Sequence, residues 1–168
     1  MELPIENKVE KANIKQIDLS DYLTREVIFD FDMKNGLWQE MIIKEKEFRA
    51  FIKTFDWSQY ENKIVSVYCS VDAIIPAWAF MLVSTQLNTV GAKVYSGNIE
   101  ATKSAIFFEN LNQIDTNTLT NQRVMVKGCS DIPDPTKAYI ILTNLLVPKV
   151  KSLMFGEPCS AVPVFKRR

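Results

Sequence analysis

The chain has 168 residues, of which 47% are hydrophobic and 24% are charged, and this composition is typical of a globular protein with one core rather than a disordered chain. Its 20 basic and 20 acidic side chains give a formal net charge of zero, so neither nucleic acid nor a membrane is expected as a partner. The absence of histidine excludes a Ser-His-Asp triad, a Cys-His pair and His-ligated zinc within this chain.

The sequence favours a cytoplasmic protein. Its first residues, Met-Glu-Leu-Pro-Ile-Glu, lack the apolar segment of a signal peptide. The longest stretch without charge, residues 73–92, contains proline and several polar side chains, which is typical of a buried helix rather than a membrane span. The three cysteines are an odd number, which favours reduced thiols over a disulfide framework.

The N-terminal region, residues 1–43, is predicted to contain an antiparallel hairpin. Residues 1–25 are polar and weakly patterned, with a short helix or turn near Asp18. Two strand-like runs, 26–31 and 37–43, flank Asn35-Gly36. An Asn-Gly pair between two such runs is a strong hairpin signal.

From Lys44 onward the chain repeats itself after a shift of 59 positions, so residues 44–97 (repeat one) align without gaps on residues 103–156 (repeat two). The alignment contains eleven identities, against roughly three expected by chance from average composition. The identical pairs include Phe48 with Phe107, Asp56 with Asp115, Asn62 with Asn121, Asp72 with Asp131, Pro76 with Pro135 and Gly97 with Gly156.

Each repeat is predicted to contain a helix, a strand, a second helix and a second strand. Alternation of strands with helices of about ten residues indicates parallel βαβ units. The predicted fold is therefore a single α/β domain over 1–168, with a mainly parallel sheet from a duplicated αβαβ unit, the N-terminal hairpin and a C-terminal tail at 157–168. The predicted elements are helices 45–54, 76–87, 100–110 and 136–146 and strands 64–68, 93–95, 123–127 and 150–155. Asp134-Pro135 is typical of an N-cap followed by a proline at the first helical position.

Two of the predicted helices have no polar face, at residues 77–83 and 138–142. A helix of this kind is buried on more than one side. Two covers remain open: a second copy of the chain, which would make a homodimer, or the N-terminal hairpin and loops of the same chain.

All three cysteines follow predicted strands within about four residues. Because the carboxyl ends of parallel strands meet at one edge of a sheet, Cys69, Cys129 and Cys159 are predicted to share a site there. Thiolates suit zinc, iron or an iron–sulfur cluster, and a persulfide could use the same groups. The residues predicted to line this site are Ser70, Asp72, Ser130, Asp131 and Glu157.

Plainer interpretations stay open for these residues. Cysteine is often simply a small buried side chain, and the sequence has no C-x-x-C ligand pair. Asp72 and Asp131 each precede a helix, where aspartate caps or forms turns. The chain has no glycine-rich phosphate motif and no nucleophile–base pair, so an enzyme is the least favoured class.

Five segments of the chain carry a resemblance to a known family. They are Lys44–Phe48, Asp56–Tyr60, Cys69–Pro76, Lys127–Pro133 and Lys151–Ser160. Together they resemble a bacterial family catalogued as domain-of-unknown-function family 2480. The resemblance covers nearly the whole chain and implies no catalytic residue. Members of this family tend to be encoded beside iron–sulfur assembly components, so the resemblance implies iron–sulfur assembly proteins as partners and favours the three-cysteine interpretation.

Two functions follow as expectations. The first is an accessory factor in iron–sulfur or sulfur metabolism that binds a metal, a cluster or sulfur through the three cysteines. The alternative is a non-catalytic, dimeric interaction scaffold.

Overall fold

The computed structural model describes residues 14–128, 131–157 and 159–168. Helices and strands alternate along most of this chain. The strands are β1 (Ile14–Ile17), β2 (Ile28–Asp32), β3 (Ile64–Tyr68), β4 (Lys93–Ser96), β5 (Arg123–Val126), β6 (Ser152–Phe155) and β7 (Val162–Lys166). The α-helices are α1 (Glu45–Thr54), α2 (Ala77–Thr89), α3 (Ile99–Asn112) and α4 (Pro135–Leu146).

The described chain divides into two compact units. The inserted unit comprises Arg25–Ala105, and the split unit comprises the described residues up to Thr24 together with Ile106–Arg168. One unit is therefore inserted in the sequence of the other. The prediction of one domain over 1–168 stays a prediction.

Each unit is built on a sheet of parallel strands. In the inserted unit the strand order is β2-β3-β4, and both pairs are parallel. In the split unit the order is β1-β5-β6-β7, with β7 alone antiparallel. The predicted α/β class with a mainly parallel arrangement is confirmed.

The duplication is visible in the cores of the two units. Several pairs of residues 59 positions apart are fully buried in both units, because each copy packs two helices on its own parallel strands. The matching pairs include Phe48 and Phe107, Val65 and Val124, Ala79 and Ala138, and Leu87 and Leu146, all fully buried.

The same duplication is visible in the backbone hydrogen bonds of the turns. Asn62 N donates to Val90 O (3.0 Å), and Asn121 N donates to Lys149 O (2.9 Å), each from a residue with positive φ. Gly97 N and Gly156 N likewise close the carboxyl ends of β3 and β5, each at 2.9 Å. The duplicated unit is thus confirmed at the level of individual bonds.

The predicted N-terminal hairpin requires correction. β2 pairs in parallel with β3, and the described ladder contacts of residues 37–43 are two isolated bridges, Trp38 with Ile42 and Ile42 with Ile74. Asn35-Gly36 does not join two antiparallel strands, because it lies in a 3-10 turn at Met33–Gly36 that the Asp32 carboxylate caps by accepting from Lys34 N at 2.9 Å. The chain reverses instead between Trp38 and Met41, where the two intervening residues have positive φ.

Gly36 has a packing role. A Cβ atom built at this position would lie 2.4 Å from a ring carbon of Phe48, which is fully buried in the inserted unit. The backbone of the 3-10 turn therefore packs directly against the Phe48 ring, and the absence of a side chain at Gly36 makes this close contact possible.

None of the helices in the part of the chain that the structure describes combines the length and the hydropathy needed to cross a bilayer.

We predict that Gly36→Ala destabilises the protein by about 1–3 kcal/mol, because the new methyl group overpacks the Phe48 ring. Gly128→Ala is the matched control, since its Cβ would meet the Phe155 ring at 3.4 Å, an ordinary van der Waals distance. Urea unfolding of both variants measures the difference. Equal stability of the two variants would show that the contact with Phe48 does not restrict this position.

Candidate functional site

The described cysteines lie in different units. Cys69, in the inserted unit, is half-buried and packs against the core of that unit. Cys159, in the split unit, is exposed in the turn between β6 and β7. Cys129 and Ser130 lie outside the described residues. The structure therefore describes two free thiols with different environments.

Among residues 14–128, 131–157 and 159–168, no group of three or more Cys, Asp or Glu side chains is arranged to hold a metal ion. The proposed set of Cys69, Cys129 and Cys159 includes one residue outside these ranges. The metal interpretation accordingly has no support from the described geometry.

The other predicted site residues are exposed. Ser70, Asp72, Asp131 and Glu157 all have accessible side chains. Neither Asp72 nor Asp131 is the N-cap of the helix that follows it. The N-cap position of α2 is Pro76, which makes no side-chain cap hydrogen bond, and that of α4 is Asp134. Asp134 accepts from Lys137 N at 3.1 Å and is followed by proline in the first turn, which confirms the cap predicted there.

At the carboxyl edge of the inserted sheet, the structure brings together residues that the sequence interpretation missed. Asp32, at the end of β2, accepts from Ser70 N at 3.1 Å as well as from Lys34 N. Beside it, Tyr68 Oη donates to Asp30 Oδ2 at 3.2 Å. The signal that could have revealed Asp32 is its match with Asp18, since Asp18 directly follows β1, Asp32 ends β2, and each caps a 3-10 turn.

The Asp32 carboxyl is held in its ionised form. Burial raises its pKa, but this effect is outweighed by hydrogen bonds from Ser70 and from Lys34 N, and the net result is a lowered pKa. A carboxylate of this kind is suited to organising loops and is a poor proton donor near neutral pH.

The matching edge of the split unit carries different chemistry. Asp18 accepts from Ser20 Oγ (2.6 Å) and from Ser20 N (3.0 Å), and these bonds, together with Lys127, lower the Asp18 pKa. Lys127 Nζ lies 3.5 Å from Asp18 Oδ2 and occupies the position that Tyr68 has in the inserted unit. The copies have diverged at the edge where parallel sheets bind ligands.

The most distinctive surface of the inserted unit is one face of α2. The opposite face buries Ala79, Val83 and Leu87 against the sheet. The outer face forms an open groove of about 690 Å³, and Met81, which is 69% exposed, lies in it. The other residues that line this groove, which we call the α2 groove, are Phe80, Ser84, Thr85, Asn88 and Thr89.

Three polar side chains of the α2 groove are hydrogen-bonded within the helix that carries them. Thr85, Asn88 and Thr89 each donate to a carbonyl oxygen three or four residues earlier, so covering the groove would leave these bonds intact. These bonds join Thr85 Oγ1 to Met81 O (2.8 Å), Asn88 Nδ2 to Ser84 O (2.7 Å) and Thr89 Oγ1 to Gln86 O (2.6 Å).

Comparison with known proteins identifies the family. The family model described as "Protein of unknown function (DUF2480)" matches residues 3–167, which is nearly the whole chain. The chain belongs to the DUF2480 family. The search of curated proteins and the search of solved structures gave no match. Membership of the DUF2480 family confirms the resemblance and assigns no ligand or activity.

We predict that Asp32→Ala lowers the stability by about 1 kcal/mol near neutral pH, because the Ser70 and Lys34 N–H groups lose their acceptor. Since the folded pKa is lowered, the stabilisation is present above the unfolded value of about 3.9 and is lost as pH falls through the folded pKa.

Urea unfolding at about pH 7 and about pH 3 measures this effect, with Asp32→Asn as the control that keeps an acceptor oxygen. A loss in Asp32→Ala that is the same at both pH values would contradict a role for the ionised carboxylate.

Proposed function

We propose that this protein is a non-catalytic interaction scaffold that forms a homodimer through the α2 groove. The observation that supports the proposal is an exposed helix face that has apolar groups and no charge, and on which Thr85, Asn88 and Thr89 each donate a hydrogen bond within the helix. Interface cores have these properties, whereas ordinary solvent-exposed helix faces carry charged side chains.

A second copy of the chain is the occupant that this chemistry fits. In a twofold interface each patch meets itself, so any charge near the axis would face a like charge. Residues 73–92, which include all of α2, contain no Asp, Glu, Lys or Arg. The α2 groove is therefore self-complementary in charge.

The matching helix of the split unit lacks this combination. Ile140 occupies the position of Met81 and is 57% exposed, but α4 carries Lys137, whose Nζ lies 4.1 Å from the centre of the Phe108 ring. The proposal assigns the dimer contact to α2 and leaves α4 outside it.

We predict that Met81→Glu weakens the dimer at least about 100-fold, because it introduces a charge that meets its own copy in an apolar interface. Ile140→Glu, the equivalent change on α4, is expected to leave the dimer unchanged. Sedimentation equilibrium over the micromolar range measures both. A wild-type protein that stays monomeric, or a Met81→Glu protein that dimerises like the wild type, would refute the proposal.

A second candidate function, binding of a metal, a cluster or sulfur in iron–sulfur metabolism, is supported by one feature of the split unit. β5 and β6 are neighbouring parallel strands in register, with Val126 opposite Phe155. Cys129 and Cys159 follow these two residues by three and four positions. The candidate ligands are thus this pair, with Asp131 and Glu157 on the same segments, in a cytoplasmic protein whose thiols stay reduced.

We predict for this second candidate that protein purified without oxygen contains zinc, iron or bound sulfur. Cys129→Ser and Cys159→Ser are each expected to lose most of it, whereas Cys69→Ser is expected to keep it because Cys69 is not one of these candidate ligands. Elemental analysis and a sulfide assay measure the content. A wild-type protein without metal or sulfur, or a loss in Cys69→Ser alone, would contradict this candidate.

A further inference from the structure

The split unit contains an open cavity of about 410 Å³, which we call the basic pocket. It lies at the end of the sheet where β5 and β6 begin and β7 ends. Three cations line it, Arg123, Lys151 and Lys166, and its accessible apolar lining includes Ile14, Met154 and Pro163. The volume is in the range of small-molecule sites in proteins.

The strand register fixes the spacing of the cations. Arg123 lies opposite Ser152, and Ser152 lies opposite Lys166, so the two cations are two strand spacings, about 10 Å, apart at the backbone. Lys151 precedes Ser152 and is anchored on both sides. Its N–H donates to Gln122 O at 2.8 Å, and its carbonyl oxygen accepts from Arg167 N at 2.9 Å.

The positive charge of the basic pocket is not neutralised by the residues that the structure describes. Its lining includes no carboxylate. The ion pairs found among the described residues use Lys34, Arg49, Lys103 and Lys127, and none involves the three cations of the pocket. In a chain whose net charge is zero, this concentration of like charge favours binding of an anion.

The apolar part of the pocket arises from an irregularity in β7. The register shifts between Leu153 and Met154, so that Leu153 faces Phe165 while Met154 faces Pro163, and Val164 is left over as a bulge. Pro163 therefore lies on the same face of the sheet as Ser152, Met154 and Lys166, whereas Phe165 faces the core with Leu153, which is 3% exposed. Bulges of this kind redirect side chains next to binding sites.

We infer that the basic pocket binds an amphipathic anion, with a carboxylate or phosphate head at the three cations and an apolar chain against Ile14, Met154 and Pro163. The site lies within the split unit, and it is independent of the α2 groove. It is also absent from the other copy, because Arg123 and Lys151 correspond to Ile64 and Ala92, which are buried.

Calorimetric titration with decanoate and decyl phosphate tests the inference, with decanol as the uncharged probe. At least one anion is expected to bind, at least about tenfold more tightly than decanol, and to bind more weakly as salt is raised. Whichever anion binds more tightly identifies the preferred head group.

Arg123→Gln and Lys166→Gln are each expected to weaken the anion about tenfold, and Lys46→Gln, an exposed change on α1 of the inserted unit, is the matched control. Circular dichroism confirms that each variant is folded. The inference is overturned if neither anion binds, if decanol binds equally well, or if the folded Arg123→Gln and Lys166→Gln proteins bind like the control.

Discussion

Parallel strand pairing is the constraint from which the rest of this structure follows. Strands that run in the same direction need a crossover, and here α2 and α4 provide it for the pairs β3–β4 and β5–β6. Each crossover helix lays a stripe spaced by four residues on its sheet, Ala79-Val83-Leu87 in the inserted unit. Alanine at the start of this stripe lets helix and sheet approach closely. Met81, which is 69% exposed, is not used by this packing and stays at the surface, whereas Trp78, Phe80 and Leu82 are partly buried against the same core.

The two copies share the buried residues and turns that the fold requires, and they differ in the surface residues that the fold does not restrict. Their buried residues and turn hydrogen bonds match, down to the positive φ of Asn62 and Asn121. Their outer surfaces differ, since the charge-free groove belongs to α2 and the cationic pocket belongs to the split unit. After a duplication, residues that diverge between equally folded copies are the natural place for function. The proposed dimer contact and the proposed anion site each lie on such residues.

Sequence patterns predicted the repeats well because those depend on local periodicity. The helix at 45–54 and the strand at 64–68 have the predicted bounds, and the cap at Asp134 is confirmed. The predicted hairpin was wrong because the Asp32 carboxylate accepts a hydrogen bond from Lys34 N and so places Asn35-Gly36 in a 3-10 turn. This turn packs against Phe48, and a local sequence pattern does not predict such a tertiary contact.

The strands β1 and β7 were missed because a four-residue strand and a strand with proline at an edge carry little pattern of their own. The sequence also predicted that the cysteines follow strands. It did not predict that Cys69 and Cys159 belong to different units, because the insertion of one unit in the sequence of the other leaves no signal in local periodicity.

The central claim is that the apolar surface left over on α2 is an interface between two copies. Amide NMR spectra of the 19.3 kDa chain, recorded over a series of protein concentrations, test it most directly. The account predicts that signals from Phe80 to Thr89 shift or broaden with concentration, while those of α4 around Ile140 do not. Spectra that are independent of concentration, or changes confined to residues outside α2, would contradict it.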